Sequence, residues 1–138
     1  METAKVRDEE GSSGRTVLLV EDDEFLRTLI VHRLVAAGYS VAVAKSGEEG
    51  LTRAEDHPDL ILLDLILPGI GGFELIAKLQ QSEATKNIPF IVMSNSAEEG
   101  NRKRAQELRA SGYLVKAQSS PVAITAAVDA FFSSHKQG

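Results

Sequence analysis

Four short apolar runs, TVLLV (16–20), LILL (60–63), FIVM (90–93) and YLV (113–115), each stop on a polar residue. Short apolar runs between breakers read as buried strands. The residues that end them are Glu21-Asp22, Asp64, Ser94 and Lys116. A buried strand tolerates no carboxylate, hydroxyl or ammonium group at mid-length, so such groups collect where strands leave the sheet. In open α/β sheets that edge is where ligands bind. One shared site accounts for these polar residues better than unrelated surface positions do.

Between the runs the spacing becomes helical. Leu26, Leu29, Ile30, Leu34 and Ala37 recur at helical intervals, and Gly38 follows as a C-terminal stop. YSVAVA (39–44) is a second, weaker strand of edge character. Ser46 with Glu49 forms a capping box, opening a helix that ends before His57-Pro58. A helix is expected from about Gly72 through Leu79. Ser96 with Glu99 caps another that runs to about Ala110, and Ser120-Pro121 opens a last one with Ile124, Ala127, Val128 and Phe131 as its apolar stripe. Alternating β/α units predict a doubly wound, five-stranded parallel sheet with helices on both faces. Residues 16–135 form the expected domain, between a charged, Gly/Ser-rich tail at 1–15 and a short tail at 136–138.

Composition narrows the function classes. The 138 residues suffice for one domain with a real core, and a net charge of -5 argues against a phosphate-driven grip on nucleic acid. No apolar run approaches the ~20 residues that span a bilayer. The N-terminus lacks the apolar segment of a signal peptide, so a cytoplasmic location is expected. The absence of cysteine removes disulfides, thiolate metal sites and thiol nucleophiles together.

Glu21, Asp22 and Asp64 converge if the first and third strands are neighbours. Carboxylates this close repel one another, and hard oxygen donors suit Mg²⁺ (or Mn²⁺) as the neutralising ion. With a metal present, a carboxylate can attack phosphorus and form an aspartyl phosphate. The transferring group's three equatorial oxygens then need partners, for which Lys116, Ser94 and a backbone N–H are suited.

These motifs resemble the response-regulator receiver domain of bacterial two-component signalling, over about residues 15–135. VLLVEDD resembles the acidic pair after the first strand, LILLDLILPG the phosphoacceptor segment, PFIVMS the switch-hydroxyl segment, and GYLVK the lysine segment with its aromatic switch position. The resemblance implies strand order 2-1-3-4-5. It implies Asp64 as phosphoacceptor, with metal held by Glu21, Asp22, Asp64 and the backbone carbonyl of Ile66. Lys116 and Ser94 would sense the phosphate, and Ser94 and Tyr113 would form the switch; Asn95, this chain's own residue beside Ser94, is expected to join the phosphate-sensing group.

The implied partners are a sensor histidine kinase and a downstream protein target or histidine phosphotransfer protein. Neither membrane nor direct nucleic-acid binding is implied. The domain is expected to stand alone, as a monomer or a weak dimer through its fourth helix, fifth strand and fifth helix. It is expected to assist its own phosphorylation and dephosphorylation rather than act as an enzyme on a separate substrate.

Three positions depart from the family pattern. Ala117 stands where proline is usual, so a trans Lys116–Ala117 peptide is expected. Asn95 replaces a small residue beside the switch hydroxyl. Gly71 replaces the common Asp or Asn, so PGIGG (68–72) is expected to be flexible. Ile66, two residues past the acceptor, is expected to shield an acyl phosphate from water.

Blander and competing readings are specific. Glu21-Asp22-Asp23 can simply cap a helix, and for Asp23 that is the reading adopted. Tyr113 can be core packing, and Arg102, Lys103, Arg104 and Arg109 a solvated face or a dock for an acidic partner. A haloacid-dehalogenase-type phosphatase needs a D-x-D nucleophile after the first strand, where this chain has Glu21-Asp22-Asp23. A degenerate receiver, binding partners without phosphorylation, is the alternative that Asn95 and Ala117 keep open.

Overall fold

The computed structural model describes residues 14–95, 98–116 and 119–135. In chain order it contains β1 (Thr16–Val20), α1 (Glu24–Ala36), β2 (Ser40–Ala44), α2 (Gly47–Ala54) and β3 (Leu60–Asp64). Then follow α3 (Gly72–Gln81), β4 (Phe90–Ser94), α4 (Glu99–Glu107), β5 (Gly112–Val115) and α5 (Pro121–Ser134). The strands pair in parallel in the order β2-β1-β3-β4-β5. This is the expected doubly wound sheet.

The near-continuous Val/Ile/Leu runs serve two cores at once. Val17, Leu19, Leu60, Leu62 and Met93 pack with Ile30 and Leu34 of α1 and Ile124 and Val128 of α5. Their sequence neighbours Leu18, Val20, Ile61, Leu63 and Val92 pack on the other face with Leu75, Ile76 and Leu79 of α3 and Ala105 of α4. Every residue of β3 and β4 is buried, whereas the edge strands β2 and β5 are partly open. Among the described residues, no helix is long and apolar enough to cross a membrane.

Local chemistry sets the helix ends. Asp23 caps α1, its carboxylate accepting from the Leu26 N–H at 3.0 Å. Ser46 caps α2 and Ser120 caps α5, with Pro121 in the first turn. Gly38, at φ 103°, closes α1, with Tyr39 N–H donating to Leu34 O and Gly38 N–H to Val35 O.

Four expectations need correction. Leu29 does not join the α1 stripe: it is 38% exposed beside Phe25, while Arg27 is only 7% exposed. α4 is capped by Glu98 without a side-chain bond, and Ser96, the expected cap, lies outside the described residues. α4 also stops at Glu107 rather than near Ala110. The turn closes there because Arg109 adopts φ 69°, Ala110 N–H donating to Ala105 O and Arg109 N–H to Gln106 O. In α5 the buried stripe takes Phe132 rather than Ala127, and the helix continues through Ser134, which places Ser133 and Ser134 in the helix rather than in the trailing segment. Ala117 and the tails at 1–13 and 136–138 also lie outside the described residues.

Arg109 supplies a stability prediction. A non-glycine residue in left-handed backbone is disfavoured by about 1–2 kcal/mol, partly offset by the greater unfolded-state entropy of glycine. Arg109→Gly is expected to raise stability by up to about 1 kcal/mol, read from the urea midpoint at unchanged slope.

The 68–71 turn has anchors that its glycines did not suggest. Gly71 offers α3 no side-chain cap, but Gly72 N–H donates to Leu65 O at 2.8 Å. Glu48 reaches across from α2 to accept from Ile70 N–H at 3.3 Å. A Cβ on Gly69, which sits at φ +75°, would lie 2.3 Å from that carboxylate. The turn is thereby seated against α2, next to the end of β3.

Candidate functional site

Strand register brings the polar tips together. Val20 pairs with Leu63, so Glu21 and Asp64 leave β1 and β3 at one level. Asp64 pairs with Met93 and Ser94 with Val115, which carries Ser94 and Lys116 to the same edge.

At that edge Lys116 Nζ donates to Asp64 Oδ2 at 2.8 Å. The same ammonium lies 2.9 Å from Glu21 Oε1, an ion pair by distance. That ion pair is the contact Glu21 Oε1 makes: it is the one buried side-chain nitrogen or oxygen among the described residues with no hydrogen bond. The other Glu21 oxygen accepts from Asp23 N–H at 3.1 Å, and Asp64 Oδ1 accepts from Ile66 N–H at 3.2 Å. Glu21 is fully buried and Asp64 3% exposed, whereas Asp22 is exposed.

Burial shapes the charges. It pushes the Glu21 carboxyl above its ordinary range, outweighing the Lys116 ammonium and the Asp23 N–H, which pull it down. For Lys116, burial alone would lower the ammonium. The carboxylates of Asp64 and Glu21 overcome this and hold it above its usual value. Three acids thus face one bonded lysine.

Glu21, Asp22 and Asp64 each offer a carboxylate oxygen, and these atoms lie within 4.8 Å of one another. An all-oxygen donor set with one buried oxygen lacking a hydrogen bond fits a hard divalent cation. These three residues would hold it, and the ion would offset the charge that Lys116 leaves uncompensated.

The remaining expected residues are less tightly joined. Ser94 is 2% exposed at the end of β4. Asn95 is exposed and, with Leu65, Ile66, Phe73, Ser94 and Asn101, lines a cavity of about 280 Å³. The Ile66 side chain is 71% exposed there. Tyr113 lies one strand away, half-buried against the α2/α3/α4 core, with the Arg102 guanidinium 4.8 Å from its ring centre. Arg104 stacks likewise on Phe73 at 4.2 Å. Part of the basic cluster therefore ties α4 to its neighbours, in a helix whose only buried residue is Ala105.

One buried residue of this region was not legible as such. Arg27 Nη1 donates to Glu21 O at 2.9 Å and to Asp22 O at 3.3 Å. An arginine three and seven residues before Ile30 and Leu34 shares their stripe, and that spacing was the available signal.

Residues 17–129 match the family model of the response regulator receiver domain. The chain is 37% identical over 106 residues to the phosphate regulon transcriptional regulatory protein PhoB of Rhizobium meliloti, covering 76% of this chain and 47% of that protein. The chain thus spans about half the length of such regulators. It is 35% identical over 108 residues to the polar-differentiation response regulator DivK of Brucella ovis, covering 78% of this chain and 88% of DivK. Among solved structures, the chemotaxis protein CheY4 of Vibrio cholerae superposes with a TM-score of 0.77 at 26% identity, over 84% of this chain and 97% of CheY4. The chain belongs to the response regulator receiver domain family.

Proposed function

We propose that this receiver accepts a phosphoryl group on Asp64 from a histidine kinase, in a reaction that needs Mg²⁺ or Mn²⁺. One observation carries the reading: Asp64 is a nearly buried carboxylate held at 2.8 Å by Lys116, beside two further acids. In the transfer an Asp64 carboxylate oxygen attacks phosphorus and an O–P bond forms. The donor's N–P bond breaks, and its electron pair stays on the leaving imidazole. A bound divalent cation supplies charge neutralisation to the phosphoryl oxygens. Lys116 keeps its proton and pairs with one oxygen, and the Ser94 hydroxyl donates to another. Asn95, which lines the cavity with Ser94, would add an amide hydrogen bond. The Ile66 backbone carbonyl would complete the metal ligands, and its side chain, 71% exposed beside the acceptor segment, would shield the acyl phosphate from water.

The modified state is read through α4, β5 and α5 by a protein target or by a histidine phosphotransfer protein. Ser94 and Tyr113 act as the moving pair. The domain assists its own phosphorylation and dephosphorylation and turns over no separate substrate. A cytoplasmic location accords with that partnership.

Beryllofluoride, a phosphoryl mimic, tests the reading. With Mg²⁺ present, NMR shifts are expected around Asp64, Ser94 and Lys116, and Asp64→Ala removes them. An unshifted wild type would instead mark a receiver that works without phosphorylation. The Arg102–Tyr113 stack adds a quantitative expectation. An exposed cation–π contact contributes about 0.5–1 kcal/mol. If it holds Tyr113 in its present rotamer, Arg102→Ala tightens beryllofluoride binding about 2–5-fold in a fluoride-buffered titration.

A further inference from the structure

We infer that Arg27 is a positioning residue for the acidic pair, setting metal affinity through the backbone that carries Glu21 and Asp22. The inference rests on the proposed metal site and extends it to a residue that contributes no ligand atom.

A guanidinium is always charged and is rarely found inside a protein without partners. Arg27 is only 7% exposed, on a helix whose neighbouring stripe is Ile30 and Leu34. Its Nη1 donates to the carbonyls of Glu21 and Asp22, at 2.9 and 3.3 Å. One donor nitrogen therefore spans two successive peptide units at the point where β1 becomes the acidic turn.

The rest of that turn is closed by hydrogen bonds that leave it little freedom. Glu21 N–H donates to Ala44 O at 3.0 Å, and Asp23 N–H to Glu21 Oε2 at 3.1 Å. Arg27 N–H donates to Asp23 O at 2.9 Å, and the Asp23 carboxylate caps α1. The Glu21 and Asp22 carbonyls both accept from the Arg27 side chain. A peptide carbonyl that is pinned fixes the direction in which the adjoining side chains leave the chain. The two carboxylates flanked by those peptides belong to the trio that lies within 4.8 Å. Side chains that orient metal ligands from behind typically change affinity about 10–100-fold when removed.

Arg27→Met keeps the buried aliphatic stem and removes the donors. In the full chain, Mn²⁺ alone is titrated and free Mn²⁺ is read by electron paramagnetic resonance, with folding checked by circular dichroism. Arg27→Met is expected to bind Mn²⁺ about 10–100-fold more weakly than wild type. Arg27→Lys, with a single ammonium in place of the fork, is expected to recover part of the loss. Ile30→Val, a core variant of the same helix, is expected to bind as wild type does, which separates positioning from general loosening. Wild-type affinity in folded Arg27→Met overturns the inference and leaves the metal site standing. If Arg27→Met does not fold, wild-type affinity in Arg27→Lys overturns it instead. A wild-type protein that binds no Mn²⁺ removes the metal site, and the inference with it.

Discussion

Lys116→Met is expected to destabilise the metal-free protein by about 3–5 kcal/mol at neutral pH, the range for removing one partner of a buried ion pair. The substitution leaves the hydrocarbon stem and takes away the ammonium bonded to Asp64 and paired with Glu21. Glu21 is fully buried and Asp64 nearly so, so water cannot replace the lost charge. The deficit should shrink on acidification, because protonated carboxylates need no counter-charge.

The sign of the wild-type pH dependence follows from the same groups. Glu21 is raised by burial, so the unfolded chain releases its proton first. Stability then falls as pH rises from the unfolded Glu value towards the folded one. Lys116 is also raised on folding. Its contribution is fully present below the unfolded lysine value and is lost as pH climbs through the folded one. Urea denaturation across pH measures both effects. A neutral-pH loss below about 1 kcal/mol in Lys116→Met would mean that the lysine is solvated rather than a structural counter-ion.

Divalent metal should act in the opposite direction. A ligand that binds only the folded state at 100 times its dissociation constant stabilises by about 2.7 kcal/mol. Mg²⁺ or Mn²⁺ is expected to raise the urea midpoint accordingly, and a chelator to reverse the gain. Asp22 makes the test discriminating, because it is exposed and its charge carries little burial cost. Asp22→Asn should leave metal-free stability within about 0.5 kcal/mol, as ordinary surface substitutions do. The metal-dependent gain should nonetheless largely disappear. An equal metal response in Asp22→Asn would remove that residue from the ligand set.

The sheet was legible because β3 and β4 are covered on both faces and therefore read as unbroken apolar runs. The tips were legible for the complementary reason: Asp64 and Lys116 interrupt runs that admit no charge elsewhere. What local pattern did not carry was the choice made between elements. Leu29 has the spacing of a core residue but faces solvent beside Phe25, while Arg27 turns inward to the carbonyls of Glu21 and Asp22. Glu48 reads as a first-turn acid of α2, and its tie to Ile70 depends on a contact 22 residues away in sequence. The arginine stacks on Tyr113 and Phe73 likewise turn residues that look like solvated charge into packing.

Intact-mass spectrometry after incubation with Mg²⁺ and a small-molecule phosphodonor tests the central claim most directly. Wild type is expected to gain the mass of one phosphoryl group, labile to alkali as an acyl phosphate is, and Asp64→Asn to gain none. An unmodified wild type, or a gain that persists in Asp64→Asn, would contradict the assignment of Asp64 as the acceptor.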